Sequence, residues 1–419
     1  MPDPLPESPT EVRKRNFRNV QIDAVGVGLA TAAGPFLPVF LARLGATNFQ
    51  VGLLSAMPGI TGLVMAFVVG RFLQTRRHIV PWYSVARLMV LSCYALTGIV
   101  TMLIPRNSAV NSTLVIWAFA TLPQTALSVS FTVVMNAVAG PEGRYSLLSR
   151  RWIILGLTQF TATFAITELI DRFTFPLNYA IMFVGLSLGG LLSFYFSNRI
   201  TLPEQTPPPL AGGRSAGEAV RNTLTLLRQV PDFVSFSLKR FVYLSAVALS
   251  VPILPLYYVR SVKASDSAIG AINMTYTFVT LVGYVIWPSV SRRRGGRFVL
   301  LATTAGLVVY PLLVASTRLV GLIVAFSALA GFFQGGLDLV FFDEYMKTVP
   351  DEYSAMLVSL EQGVSYMSTV AAPLLGTWLA TYIGLAGALW LSAGLRLAGF
   401  LLFVTTRKKK IGSRRFRIP

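Results

Sequence analysis

The chain has one cysteine, Cys93, and one histidine, His78. No internal disulfide can form, and no His-rich metal centre or His-centred catalytic cluster can be assembled, so neither a metal nor another cofactor is expected. Acidic residues are scarce as well, 17 Asp and Glu against 36 Lys and Arg, giving a formal net charge of +19. Charged residues of both signs make up only 13% of the 419 positions, while 54% are apolar and the mean hydropathy is +0.63. A soluble fold of this length rarely carries so little charge. No G-x-x-x-x-G-K-[ST] phosphate loop occurs, so direct ATP hydrolysis has no support, and an enzyme built on His or Cys is excluded.

What the chain does have is apolar length. Twelve uninterrupted runs of about 20 residues, enough to cross a hydrocarbon core of roughly 30 Å as helix, occupy approximately 20–42, 51–70, 81–104, 113–139, 152–170, 177–198, 240–259, 268–290, 298–316, 319–342, 355–382 and 385–406. Lipid cannot satisfy backbone polar groups, so such runs must be helical. The expected fold is an all-α polytopic membrane protein with 12 transmembrane helices. The first 18 residues hold Pro2, Pro4, Pro6 and Pro9 and no apolar core, so no cleavable signal is expected and the first run serves as the targeting element.

The basic residues sort by side. Counted loop by loop, 29 of the 36 fall on the side of the N-terminus. The other side holds Arg43, Arg106, Arg172, Arg260, Lys263 and Arg318, and Arg396 lies inside the last run. This asymmetry predicts that both termini are cytoplasmic, in the plasma membrane of a prokaryotic cell. The run from Arg407 to Arg417, RKKKIGSRRFR, reads as an interfacial anchor or as an arm for anionic lipid or nucleic acid. Orientation alone accounts for the cationic excess, and the expected partners are the bilayer, a small-molecule substrate and a proton or other ion, with no nucleic acid.

The second half of the chain repeats the first. PFLPVFLAR at 35–43 lies over PILPLYYVR at 252–260 with a shift of 217, and VGLL at 51–54 meets IGAI at 269–272 after one inserted residue. Gln124 and Phe131 match Gln334 and Phe341 at a shift of 210, and PEGRYS at 141–146 resembles PDEYS at 350–354. A six-plus-six duplication divides the chain into a tail (1–18), a six-helix bundle (19–198), a linker (199–232), a second bundle (233–406) and a basic tail (407–419). The linker opens with LPEQTPPPLAGG and then turns amphipathic: Val220, Leu224 and Leu227 share a face, with Arg221, Asn222 and Arg228 elsewhere. It reads as a helix on the membrane surface or as a docking helix for a partner.

Twelve helices, a six-plus-six repeat and a long central cytoplasmic loop resemble the major facilitator superfamily of secondary transporters, over residues 13–407. PFLPVFLARLGATNFQVGLL is similar to that family's passage from its first to its second helix. Gly70, Arg76 and Arg77 fall where the family's G-x-x-x-D-R-x-G-R-R loop would lie, with Gln74 at the Asp position and Thr75 at the first Arg. The corresponding loop of the second half reads SRRRGGR, with Ser291 in place of an acid. The Arg within helix 4 and the Gly-Pro motif in helix 5, frequent in the family's drug/proton antiporters, do not occur between residues 113 and 170. The resemblance implies two bundles, arranged as a monomer, that rock about a central cavity lined by helices 1, 4, 7 and 10, moving a small organic solute by alternating access. Coupling to protons and efflux of amphipathic or cationic compounds are the expected refinements. A transporter-like scaffold for assembly, lipid or pigment handling is the alternative.

Within that frame several residues stand out. Pro35 and Pro38, with Pro252 and Pro255 at repeat-related positions, would break the helical hydrogen-bond ladder, either as simple shape or as an outer gate. Gln334 and Asp338 are four residues apart on one helix face, framed by Gly331 and Gly335, and the repeat gives Gln124 and Ser128 the same face of the fourth run. These polar groups either face substrate or bond between helices. An ionisable group in hydrocarbon costs at least about 2.5 kcal/mol, so Asp23, Asp338, Glu361 and Arg396 are candidate coupling residues. Arg396 needs an acid, with Glu361 the first candidate and Asp338 the second, as a structural pair or as a titratable relay. Asp23 falls on Arg240 at a shift of 217, so the two either latch the halves together or each find a local partner such as Arg18.

Overall fold

The apolar runs fold into helices whose ends are set by proline, glycine and capping residues. A computed structural model describes residues 9–74, 76–203, 227–349 and 354–405. In chain order the helices are α1 (Pro9–Thr31), α2 (Phe36–Arg43), α3 (Asn48–Gln74), α4 (Val80–Leu103), α5 (Arg106–Leu169), α6 (Leu177–Ser197), α7 (Pro231–Ser250), α8 (Ile253–Tyr257), α9 (Asp266–Arg294), α10 (Gly296–Ala315), α11 (Val320–Met346) and α12 (Ser354–Val404). A π-helical turn, Tyr258–Val262, follows α8. Proline stands in the first turn of α4 and α7, where its missing N–H costs nothing. Ser265 caps α9 by accepting from the Ala268 N–H, and Arg292, Arg293 and Arg294 close the same helix at its negative end before Gly295, at φ 83°.

Among the described residues, ten helical segments are long and apolar enough to cross a membrane. Their bounds differ from the twelve runs in an informative way. The first run is divided: α1 stops at Thr31, and a turn leads to Pro35 at the cap of α2. The seventh run is divided at the equivalent place, between Ser250 and Ile253. Conversely, the fourth and fifth runs lie in one continuous helical element, α5, where a loop at 144–151 was expected. Its two membrane-length stretches are Ser108–Ala139 and Leu147–Arg172. The last two runs share α12 and are separated only at Gly384, whose φ of 76° is accessible to glycine at little cost.

Helices α1–α6 pack together as one half and α7–α12 as the other. The halves meet along two seams, α3 against α12 and α5 against α9. Close approach at the first seam rests on glycine: a Cβ on Gly59 would sit 3.0 Å from Val370, and one on Gly62 would sit 2.6 Å from the Tyr366 ring. At the second seam Gly156 meets Leu281, Gly270 meets Thr167, and Phe160 stacks on Phe278 with ring centroids 5.2 Å apart. Gly331 and Gly335 of α11 lie against the Tyr276 and Thr280 carbonyls of α9, so this G-x-x-x-G pattern does seat a neighbouring helix. The linker residues Val220 and Leu224 and the tail from Arg407 lie outside the described residues.

Candidate substrate cavity and the charges around it

The two divided helices and the polar faces of α5 and α11 meet at one cavity between the halves. It encloses about 480 Å³ and is lined by Pro35, Pro38 and Pro255 from the helix breaks, by Gln124 and Gln334 from the repeat-related faces, and by Arg396 from α12. Pro252 is buried beside it. Apolar and aromatic side chains, Leu54, Trp117, Leu254 and Tyr258 among them, supply most of the remaining wall. A second cavity of about 450 Å³ within the first half shares Trp117 and Gln124 with it and is bordered by Ser128, Arg87 and Arg151. Ser128 turns its hydroxyl back on its own helix, donating to the Gln124 and Thr125 carbonyls at 3.0 and 3.1 Å.

At the end of the molecule away from the described chain termini, two arginines close the gap between the halves. Arg43 at the end of α2 reaches across to donate to the Ala264 carbonyl and to Asp266, 3.1 Å away, which also accepts from the Tyr179 hydroxyl at 2.8 Å. Arg260 in the π turn reaches the opposite way, to the Ala46 carbonyl and the Asn48 side chain. Arg43 and Arg260 are related by the shift of 217; Ala46 and Ala264, and Asn48 and Asp266, are related by 218. The clasp is thus one contact made twice about a pseudo-twofold axis, ionic in one arm and neutral in the other.

Each half also contains its own ion pair. Asp23, fully buried in α1, accepts from Arg87 of α4 and from the Ser193 hydroxyl at 2.6 Å, with Arg151 of α5 at 3.8 Å. In the second half Arg240 of α7 pairs with Glu361 of α12, and Glu361 also accepts from Ser365 at 2.9 Å. The shift of 217 carries Asp23 to Arg240, and the shift of 210 carries Arg151 to Glu361, so the halves hold the same pair with its charges exchanged. The rings beneath are repeat mates too: Arg151 lies 4.8 Å from the centroid of Phe131 and Arg240 5.8 Å from that of Phe341.

These contacts correct two sequence expectations. Asp23 and Arg240 do not meet, because symmetry places them in opposite halves, each turned to its own partner. Nor, among the described residues, does Arg396 meet an acid. Its two terminal nitrogens donate to the Leu307 carbonyl at 2.9 Å and the Ser250 hydroxyl at 2.5 Å. Glu361 is taken by Arg240, and Asp338 accepts from the Tyr284 hydroxyl at 2.8 Å and the Gln334 amide at 2.7 Å. The Leu307 carbonyl is available because Pro311, four residues on, has no N–H to offer it.

Comparison with known proteins agrees with this arrangement. The model for the major facilitator superfamily matches residues 236–418, nearly the whole second half. Over those residues the chain matches the major facilitator superfamily. Solved structures share its fold at low identity: the nucleoside transporter NupG (TM-score 0.67, 13% identity, covering 93% of this chain and 99% of that one) and a bacterial homologue of the iron transporter ferroportin in an inward-facing state (0.66, 14%, 95% and 99%). The human organic anion transporter MFSD10 is similar as well (0.62, 16%, 95% and 100%). No curated protein sequence is matched. The match over the second half, with ten membrane-length helices among the described residues, is that of a multi-pass membrane protein of transporter type.

The segment that resembles the superfamily's loop after its second helix lies between α3 and α4. Gly70 and Gln74 belong to the last turns of α3, while Arg76 and Arg77 are exposed beyond it. The Arg76 guanidinium covers the rings of Phe72 and Trp82 at 4.2 and 5.1 Å, a cation–π contact that fixes the loop without the family's acid. Sequence reasoning missed Arg87 and Arg151 by counting them to cytoplasmic loops, although the shift of 210 already related Arg151 to Glu361.

Proposed function

We propose that this protein is a secondary transporter of a small organic solute, working by alternating access. The observation that carries the proposal is the reciprocal Arg43 and Arg260 clasp, which closes one end of a cavity shared by two repeat-related halves. A closure built from a few hydrogen bonds is one that a modest change in free energy can release. The helix breaks at Pro35 and Pro252 adjoin that closure, and they give each half a point at which the outer segment can move relative to the rest. The excess of basic residues on the terminus-bearing face supports a plasma-membrane orientation with both termini cytoplasmic, so the clasp is the outer gate.

Proton coupling enters this reading at Asp338. Among the described residues it accepts from Tyr284 and Gln334 and pairs with no cation, whereas Asp23 and Glu361 are each held by arginine. A carboxyl that is cheap to bury when neutral and costly when ionised links protonation to the conformational equilibrium. Reconstitution into sealed vesicles with an imposed pH gradient and a panel of small organic solutes tests the proposal. Saturable, gradient-dependent flux of at least one solute is expected. Flux that never exceeds that of protein-free vesicles would favour the scaffold reading instead. In a folded Asp338→Asn variant, flux continues but loses its dependence on the gradient; unchanged coupling would remove Asp338 from this role.

A further inference from the structure

Taking the transport reading as its basis, we infer that the solute is an organic anion whose acidic group is received by Arg396 in the central cavity. Among the described residues the buried charged side chains are Arg87, Arg151, Arg396 and Asp23, three guanidiniums against one carboxylate. Asp23 lies in the network of Arg87 and Arg151, which leaves Arg396 without a counter-ion of its own. Arg396 is 3% exposed and lines the cavity. The phenols of Tyr243, Tyr276 and Tyr310 act on its head, and among the described residues no carboxylate bonds to it.

Packing needs do not explain a guanidinium here. A guanidinium offers five N–H donors in a planar fork, and the bonds to Leu307 and Ser250 use two of its nitrogens; the third, Nε, is buried without a partner. A neutral amide side chain would satisfy the freed Leu307 carbonyl and the Ser250 hydroxyl without bringing a charge out of water. Burying an uncompensated cation is costly, so the arrangement is balanced only when an anion joins it. The fork suits a carboxylate, sulfonate or phosphate group, which it meets in bidentate fashion.

The rest of the cavity specifies the body of the ligand. Trp117, Leu254, Tyr258 and Ile272 give it apolar and aromatic walls, and Gln124 and Gln334 give it two amides. Its volume of about 480 Å³ is in the range of small-molecule sites. The cavity therefore fits an amphipathic anion and disfavours the cationic cargo that an acidic lining would attract.

The test is equilibrium binding to the purified full chain in detergent, with naphthoate, naphthamide and naphthylmethylamine as probes of one shape and three charges. Naphthoate binds the wild type about tenfold or more tightly than the amide, and the amine binds weakest. Naphthoate also protects a Leu254→Cys variant from maleimide, which places the binding in this cavity. In Arg396→Gln the preference for the anion disappears, and in Arg396→Lys it is retained. Equal affinities for the three probes on the wild type overturn the inference without any variant, should Arg396→Gln not fold. A preference that survives in folded Arg396→Gln, or chloride competing as well as naphthoate at equal concentration, overturns it too, the latter by assigning the site to a resident inorganic ion. Binding that ranks as expected while vesicles show no flux removes the transport reading and leaves the anion site standing. Flux confined to neutral or cationic solutes does the reverse.

Discussion

Removing one arm of the clasp should open the outer end of the cavity by a measurable amount. The Arg43 arm comprises an ion pair with Asp266, whose side chains are 27% and 11% exposed, and a bond to the Ala264 carbonyl. A hydrogen bond to a charged group contributes about 1.5–3 kcal/mol, and a solvent-exposed pair only about 0–1 kcal/mol. For a partly exposed arm, about 1–2 kcal/mol in favour of the closed end follows, so Arg43→Gln should raise the open-to-closed ratio roughly 5- to 30-fold. Arg260→Gln acts on the repeat-related arm and should give an effect of the same order, and the double variant should exceed either one. The assay is the rate at which a membrane-impermeant maleimide, added outside sealed vesicles, labels a Leu254→Cys variant made in a Cys93→Ser background. Identical rates in the parent, both single variants and the double variant would refute the assignment of these arginines as the outer closure.

Three further outcomes are expected. Glu361→Arg or Arg240→Glu alone should lower thermal stability by about 1–3 kcal/mol, and the exchanged pair should recover part of it, because the first half already uses the opposite order of charges; no recovery on combining them would contradict the repeat argument. Asp23→Asn should cost about 3–5 kcal/mol by leaving Arg87 and Arg151 buried against one another, read as loss of monodisperse protein after extraction; wild-type stability would show that the network is not needed. Gly331→Val should disrupt the contact of α11 with α9, where even a Cβ would lie 2.4 Å from the Tyr276 carbonyl, whereas Gly363→Ala, with nothing within 4 Å, should leave stability close to that of wild type; equal effects in the two would argue against close helix approach at Gly331.

Much of the architecture was legible because its causes are local. Lipid forces every long apolar run into helix, and proline at 35 and 252 marks the two divided helices. The pairing of charges was not local. Helical periodicity places Asp23 on a face but does not say which neighbour covers it, and loop counting moved Arg87 and Arg151 out of the helices that hold them. The repeat contained the missing information. Asp23 and Arg240 correspond under the duplication, and residues that correspond across a pseudo-twofold axis need not touch; each meets the equivalent of the other's partner. The two arginines of the PFLPVFLAR and PILPLYYVR segments illustrate the opposite case: near the axis, equivalent residues cross over and bind each other's halves. Arg396 has no repeat mate, a shift of 208 carrying it back to Leu188, and so only the cavity around it reveals a role.

Alternating access between two halves is the central claim, and exchange measured in proteoliposomes tests it most directly. Vesicles preloaded with an unlabelled transported solute should take up the labelled form faster than empty vesicles, with saturation, because the loaded carrier returns through the same cavity. Uptake that is unsaturable and indifferent to what the vesicles contain would contradict it.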